Sequence, residues 1–135
     1  MRRSGLEEAQ RWLDQARDDL RWASLLNEAG GYHLVCFLSQ QVAEKAIKAF
    51  LYAQGESPVL GHSVTVLSRR AGEYDERIAL KANSWSVLDG YYVATRYPNG
   101  LPDSIPSRVY NAQAAGEAAR LSRDCVETIA ETLGL

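Results

Sequence analysis

Residues 32–54, YHLVCFLSQQVAEKAIKAFLYAQ, decide the fold. On a helix, at about 100° per residue, Val35, Leu38, Val42, Ala46 and Ala49 occupy one side, and Cys36, Ala43, Ile47 and Phe50 another. Leu34, Phe37, Leu51 and Tyr52 fall on the remaining arc. A helix apolar over most of its circumference belongs at the centre of a bundle. Gly55 and Pro58 stop it. Upstream, Leu6, Ala9, Leu13, Ala16, Leu20 and Ala23 alternate three- and four-residue spacing, which predicts a first helix of about five turns. Ser4, with Glu7 three residues later, fits a capping box, and Gly30-Gly31 closes the helix. The break is too short for anything but an antiparallel return.

Downstream, a short helix is expected after His62-Ser63, running through Val66, Leu67 and Arg70 to Gly72. A fourth helix is expected over roughly Arg77 to Thr95, with Ile78, Ala82, Trp85, Leu88 and Tyr92 at helical spacing. Pro98, Pro102 and Pro106 then forbid a helix in a proline-rich loop over 97–110, and a connection of that length is often functional. The last helix opens at Asn111, a good N-cap, and continues through Ala115, Ala118, Val126, Ile129 and Leu133. No stretch alternates apolar and polar residues as a half-buried strand does. The fold class read from this pattern is all-α: an antiparallel bundle of four long helices plus one short helix, with residues 1–135 forming a single domain.

Composition agrees. The 135 residues are 46% hydrophobic, enough for one core, and 24% charged. No apolar run approaches the ~18 residues of a membrane span, and the N-terminal residues do not resemble a secretory signal. Fifteen basic against seventeen acidic residues exclude a globally basic nucleic-acid coat while leaving room for a local basic cleft. Cys36 and Cys125 form no Cys-x-x-Cys pair and read as buried thiols in a reducing cytoplasm.

Two polar clusters stand out. Gln41, Glu44, Lys45 and Lys48 fall within one arc of the central helix, and Glu44 precedes Lys48 by one turn, the favourable order for an ion pair. One reading is a solvated face with a weak surface salt bridge. The other is a recessed polar site or buried interface network, favoured by the flanking Leu34, Phe37, Leu51 and Tyr52. The chain uses lysine only three times, and two of the three are Lys45 and Lys48. In the second cluster, Asp89, Tyr92 and Arg96 are expected to share a face of the fourth helix. Arg96 could bind phosphate through its planar fork, with Tyr92 and Tyr97 stacking on a base. Alternatively, it pins the proline-rich loop or pairs with Glu44. His62, at a helix start, reads as a cap or a hydrogen-bonded structural group, though a histidine can also serve as a general base. His33 and Cys36 lie one turn apart, but no second pair accompanies them, so core packing is expected and no metal site.

These segments together resemble the HEPN family (higher eukaryotes and prokaryotes nucleotide-binding). The likeness is carried by Trp12-Leu13 through Asp19-Leu20, the block Gln40 to Lys48, Gly61-His62-Ser63-Val64, Asp89-Gly90-Tyr91-Tyr92, and Thr95-Arg96-Tyr97-Pro98. The resemblance implies a helical bundle that forms homodimers. It also implies, for many small members, a minimal nucleotidyltransferase partner in a toxin–antitoxin-like module. Other members are ribonucleases whose signature is an arginine, four to six intervening residues, and then a histidine. Here Arg96 leads into Tyr97-Pro98-Asn99-Gly100-Leu101-Pro102-Asp103 with no histidine, so that chemistry lacks its imidazole. The expectation is therefore a non-catalytic cytoplasmic protein without a cofactor, binding a nucleotide, polyphosphate or partner through Gln41, Glu44, Lys45, Lys48, Tyr92, Arg96 and Tyr97. The alternatives are an RNA-cleaving enzyme using His62, Tyr92 and Arg96, or a purely structural adaptor.

Overall fold

The computed structural model describes residues 4–135. Helix α1 spans Gly5–Glu28, and the Ser4 hydroxyl accepts from the Glu7 N–H at 3.1 Å, as the capping pattern predicts. Gly30, at φ +84°, makes the left-handed turn into α2, Tyr32–Ala53. Next come α3, Val64–Gly72, and α4, Glu76–Ser86. The proline-rich segment 97–110, expected to hold no helix, contains a 3₁₀ turn, Pro98–Gly100, and a single α-helical turn, α5, Pro106–Val109, because Pro98 and Pro106 each open their turn, where a missing N–H costs nothing. Helix α6 runs Ala112–Leu133 behind an Asn111 N-cap whose side chain accepts from Ala114 N–H. Among the described residues there is no strand, and the all-α bundle stands.

Helix α2 is the axis of the molecule. It packs most extensively on α1, then on α6, and also touches α3. Its Val35, Cys36, Val42, Ala43, Ala46, Ile47 and Ala49 are fully buried, meeting Leu13 and Ala16 of α1 and Ala118, Cys125 and Ile129 of α6 in one apolar cluster. Burial raises the Cys36 thiol to about 11, so it is a small apolar core group rather than a nucleophile.

The fourth helix is shorter than its periodicity suggests. The α-helix stops at Ser86 and continues as a 3₁₀ segment, Val87–Tyr91, followed by turns. Side-chain bonds to main-chain carbonyls mark this end and the turns beyond it. The Ser86 hydroxyl donates to the Ala82 carbonyl at 2.7 Å, Thr95 Oγ1 to Tyr91 O at 2.6 Å and Arg96 Nε to Tyr92 O at 2.8 Å, so side chains take carbonyls that a continuing helix would use. Gly90 and the β-branched Val93 and Thr95 add no helical preference. Asp89, Tyr92 and Arg96 therefore do not share an α-helical face, a correction with consequences for the site.

Helices α3 and α4 approach closely at Gly72, where an added Cβ would lie 2.9 Å from the Ala79 Cα. Neither backbone can yield cheaply, so Gly72→Ala should destabilise the fold by about 1–3 kcal/mol, measured by urea unfolding. An unchanged midpoint would mean that the α3–α4 contact is loose.

Candidate functional site

The polar arc of α2 divides in two. Glu44 and Lys48 are 4% and 5% exposed and paired to each other at 3.2 Å, whereas Gln41 and Lys45 are half-buried on the helix's outer side. A carboxylate and an ammonium this deeply buried are tolerated because each has further partners. The Lys48 ammonium lies 5.4 Å from the centroid of the Trp12 ring, which stacks on Tyr52 and donates its Nε1–H to Glu8. The other Glu44 oxygen stands 3.2 Å from His62 Nδ1. A carboxylate only accepts, so Nδ1 carries the proton in that contact. Of the two readings of this arc, its Glu44–Lys48 half is recessed, and the covering groups are the chain's own Trp12 and His62.

His62 precedes the Ser63 N-cap of α3 and is held from two further directions. The Gln40 side-chain amide donates to the His62 carbonyl at 2.8 Å, while Gln41 donates to Gln40 at 2.7 Å. The imidazole stacks on Tyr92, with centroids 5.5 Å apart and planes 16° from parallel. Beside this stack lies a cavity of about 350 Å³ lined by His62, Ser63, Asp89 and Tyr92.

Asp89 is part of that cavity's lining. Its carboxylate accepts from the Val64 N–H (2.7 Å), the Thr65 N–H (2.9 Å), Ser63 Oγ (3.0 Å) and Thr65 Oγ1 (2.7 Å). Burial alone would raise this carboxyl. The hydrogen bonds from Thr65, Val64 and Ser63 outweigh burial and hold it below the ordinary carboxylate value. The α3 N-terminus, which would otherwise attract a ligand anion, is thus filled by the chain's own carboxylate.

On the other side sits Arg96. Its guanidinium carbon is 4.6 Å from the centroid of Phe37, 4.8 Å from that of Tyr92 and 5.4 Å from that of Tyr97. Nε is spent on the Tyr92 carbonyl, which leaves the two Nη groups at the exposed edge. Arg96 does not pair with Glu44, whose partners are Lys48 and His62.

Of the residues singled out from sequence, His62, Tyr92, Arg96 and Tyr97 therefore gather around one aromatic stack, and Glu44 and Lys48 join it through His62. Lys45 does not. It is bonded to Asp19 of α1 and borders a separate groove of about 630 Å³ along the outer side of α1. It stands two helical turns, about 12 Å, beyond Phe37. Sequence reasoning missed Phe37 as a wall of the arginine site, Gln40 as the anchor of His62, and Trp12 as the lid on Lys48. The available signal was weak: Glu8, Trp12 and Asp19 recur along the α1 edge that faces the polar arc. Among the described residues no group of three His, Cys, Asp or Glu side chains could hold a metal ion, and no helix is long and apolar enough to cross a membrane.

Comparison with known proteins gives the family. None of the curated proteins matches the chain. The crystal structure of TT1696 from Thermus thermophilus superposes with a TM-score of 0.77 at 33% identity, covering 92% of this chain and 97% of that one. ST0689, an archaeal HEPN homologue, superposes at 0.76 with 30% identity, covering 98% and 99%. A family model for the HEPN domain matches residues 9–133, and the chain belongs to that family.

Proposed function

We propose that this chain is a non-catalytic HEPN protein that pairs with a second copy of itself, partners a minimal nucleotidyltransferase in a toxin–antitoxin-like module, and holds a nucleotide or polyphosphate at Arg96. The observation that carries the ligand reading is the guanidinium laid against Phe37, Tyr92 and Tyr97, with its Nη groups unspent among the described residues. Three rings fix its plane before a ligand arrives, so little side-chain entropy remains to be lost when phosphate oxygens bind. The rings also offer a face for a base to stack on.

The partner reading rests on family membership and on the outer side of α2. There Leu34 is 43% exposed, with Phe37, Leu38 and Gln41 half-buried beside it along the central helix of the bundle. The non-catalytic reading rests on the absence of a histidine between Arg96 and Asp103.

Titration calorimetry with ATP, GTP and their mono- and diphosphates tests the ligand. Saturable heat should appear with at least one of them, and Arg96→Ala should weaken binding roughly ten- to hundredfold, the value of a charge-assisted pair. Absence of heat with all of them would leave the structural adaptor as the reading, and discrete cleavage of added RNA would overturn the non-catalytic assignment.

A further inference from the structure

We propose that His62 is a phosphoryl-acceptor site, with Glu44 as the residue that positions and activates it. The inference goes beyond nucleotide binding and does not depend on it, because it needs neither a partner nor a second copy.

The imidazole is constrained everywhere except at one atom. Glu44 holds Nδ1 at 3.2 Å, Tyr92 covers one ring face and Gln40 fixes the backbone carbonyl. Yet the side chain is 64% exposed, and Nε2 meets no protein partner among the described residues. An acceptor-only carboxylate on Nδ1 selects the tautomer whose lone pair sits on Nε2. It also stabilises the positive charge that the ring develops as Nε2 forms a bond, the role a buried carboxylate plays behind a reacting imidazole. Glu44 keeps that geometry because its side chain is buried and tied to Lys48. The charged groups around the ring are Glu44 with Lys48 on α2, Asp89 in the lining of the same cavity, and Arg96 against the Tyr92 ring. The Asp89 charge is further spread over four donors, and the Arg96 guanidinium lies against the same Tyr92 ring on which His62 stacks.

The donor class is a small molecule with a labile phosphorus–nitrogen or acyl–phosphate bond. With phosphoramidate, the Nε2 lone pair forms the new N–P bond and the phosphorus–nitrogen bond of the donor breaks. Ammonia leaves with the bonding pair. The Nδ1 proton, shared with Glu44, then passes to the ammonia, leaving a neutral phosphorylated ring. No oxidant or reductant enters.

His33, the chain's other histidine, is an internal control, since no carboxylate contacts its ring among the described residues. Full-length protein incubated with phosphoramidate should gain an acid-labile phosphoryl group at His62 about tenfold faster than at His33. Glu44→Gln should bring the His62 rate down to that of His33 while leaving His33 unchanged, which exposure alone would not do. Should that variant fold poorly, nitrogen NMR of the unaltered protein decides: neutral His62 should be protonated at Nδ1. Equal rates at the two histidines, a His62 rate indifferent to Glu44→Gln, or a dominant Nε2–H tautomer would each overturn the assignment.

Discussion

Lys48→Met is expected to cost about 3–5 kcal/mol of folding stability, because it strands the buried Glu44 carboxylate. Glu44 is 4% exposed, and its only ionic contacts among the described residues are Lys48 and the half-solvated His62. Methionine nearly matches the lysine stem and can keep the contact with Trp12, so the loss reports charge rather than volume. Urea unfolding should therefore show a large drop for Lys48→Met and a much smaller one for Glu44→Gln with Lys48→Met together, since the double variant removes both charges. A single-variant loss below about 1 kcal/mol would mean that water reaches Glu44 and that the pair behaves as an ordinary surface bridge.

What the sequence disclosed and what it hid follow from range. The placement of α2 at the centre needs only its own periodicity, and Val35, Val42, Ala46 and Ala49 are all fully buried as that periodicity requires. Local signals also locate the caps at Ser4, Ser63 and Asn111. The fourth helix reads too long because Leu88 and Tyr92 continue the apolar spacing, while beyond Ser86 the backbone winds into a 3₁₀ segment and turns in which Thr95 and Arg96 side chains bond the carbonyls of Tyr91 and Tyr92. Periodicity registers burial, not hydrogen bonding.

The site is visible in the sequence as two sets of residues but not as one place. Glu44 meets His62 across 18 residues, and Lys45 meets Asp19 across 26, so each pairing depends on how loops return the chain. Spacing within α2 cannot show which way each of Gln41, Glu44, Lys45 and Lys48 turns. That is settled by α1 supplying Trp12 on one side and the segment before α3 supplying His62 on another. The Arg96 cluster is half legible, because Tyr92 and Tyr97 are sequence neighbours whereas Phe37 arrives from α2.

Asp89→Ala should remove about 2–4 kcal/mol at neutral pH and loosen the start of α3. One carboxylate satisfies two orphan amides, Val64 and Thr65, and two hydroxyls, Ser63 and Thr65. Bonds to a charged acceptor are the stronger kind, and donors left behind in a half-buried setting lose more than the bond itself. The effect should depend on pH with a definite sign. The folded-state value of Asp89 lies below 3.8, so its charge-linked contribution is complete above that ordinary value and is lost as pH falls through the lowered one. The stability gap between the unaltered protein and Asp89→Ala should therefore be widest near neutral pH and shrink as the pH falls below the ordinary carboxylate value. Amide exchange of Val64 and Thr65 should quicken in the variant, with α6 amides unaffected. A gap that stays constant from neutral to acid pH would show that Asp89 acts as a neutral acceptor, not as the charged plug of the α3 N-terminus. Ser63 adjoins His62 in the chain, so the same substitution should also slacken the His62–Tyr92 stack, which ties the capping of a nine-residue helix to the geometry of the site.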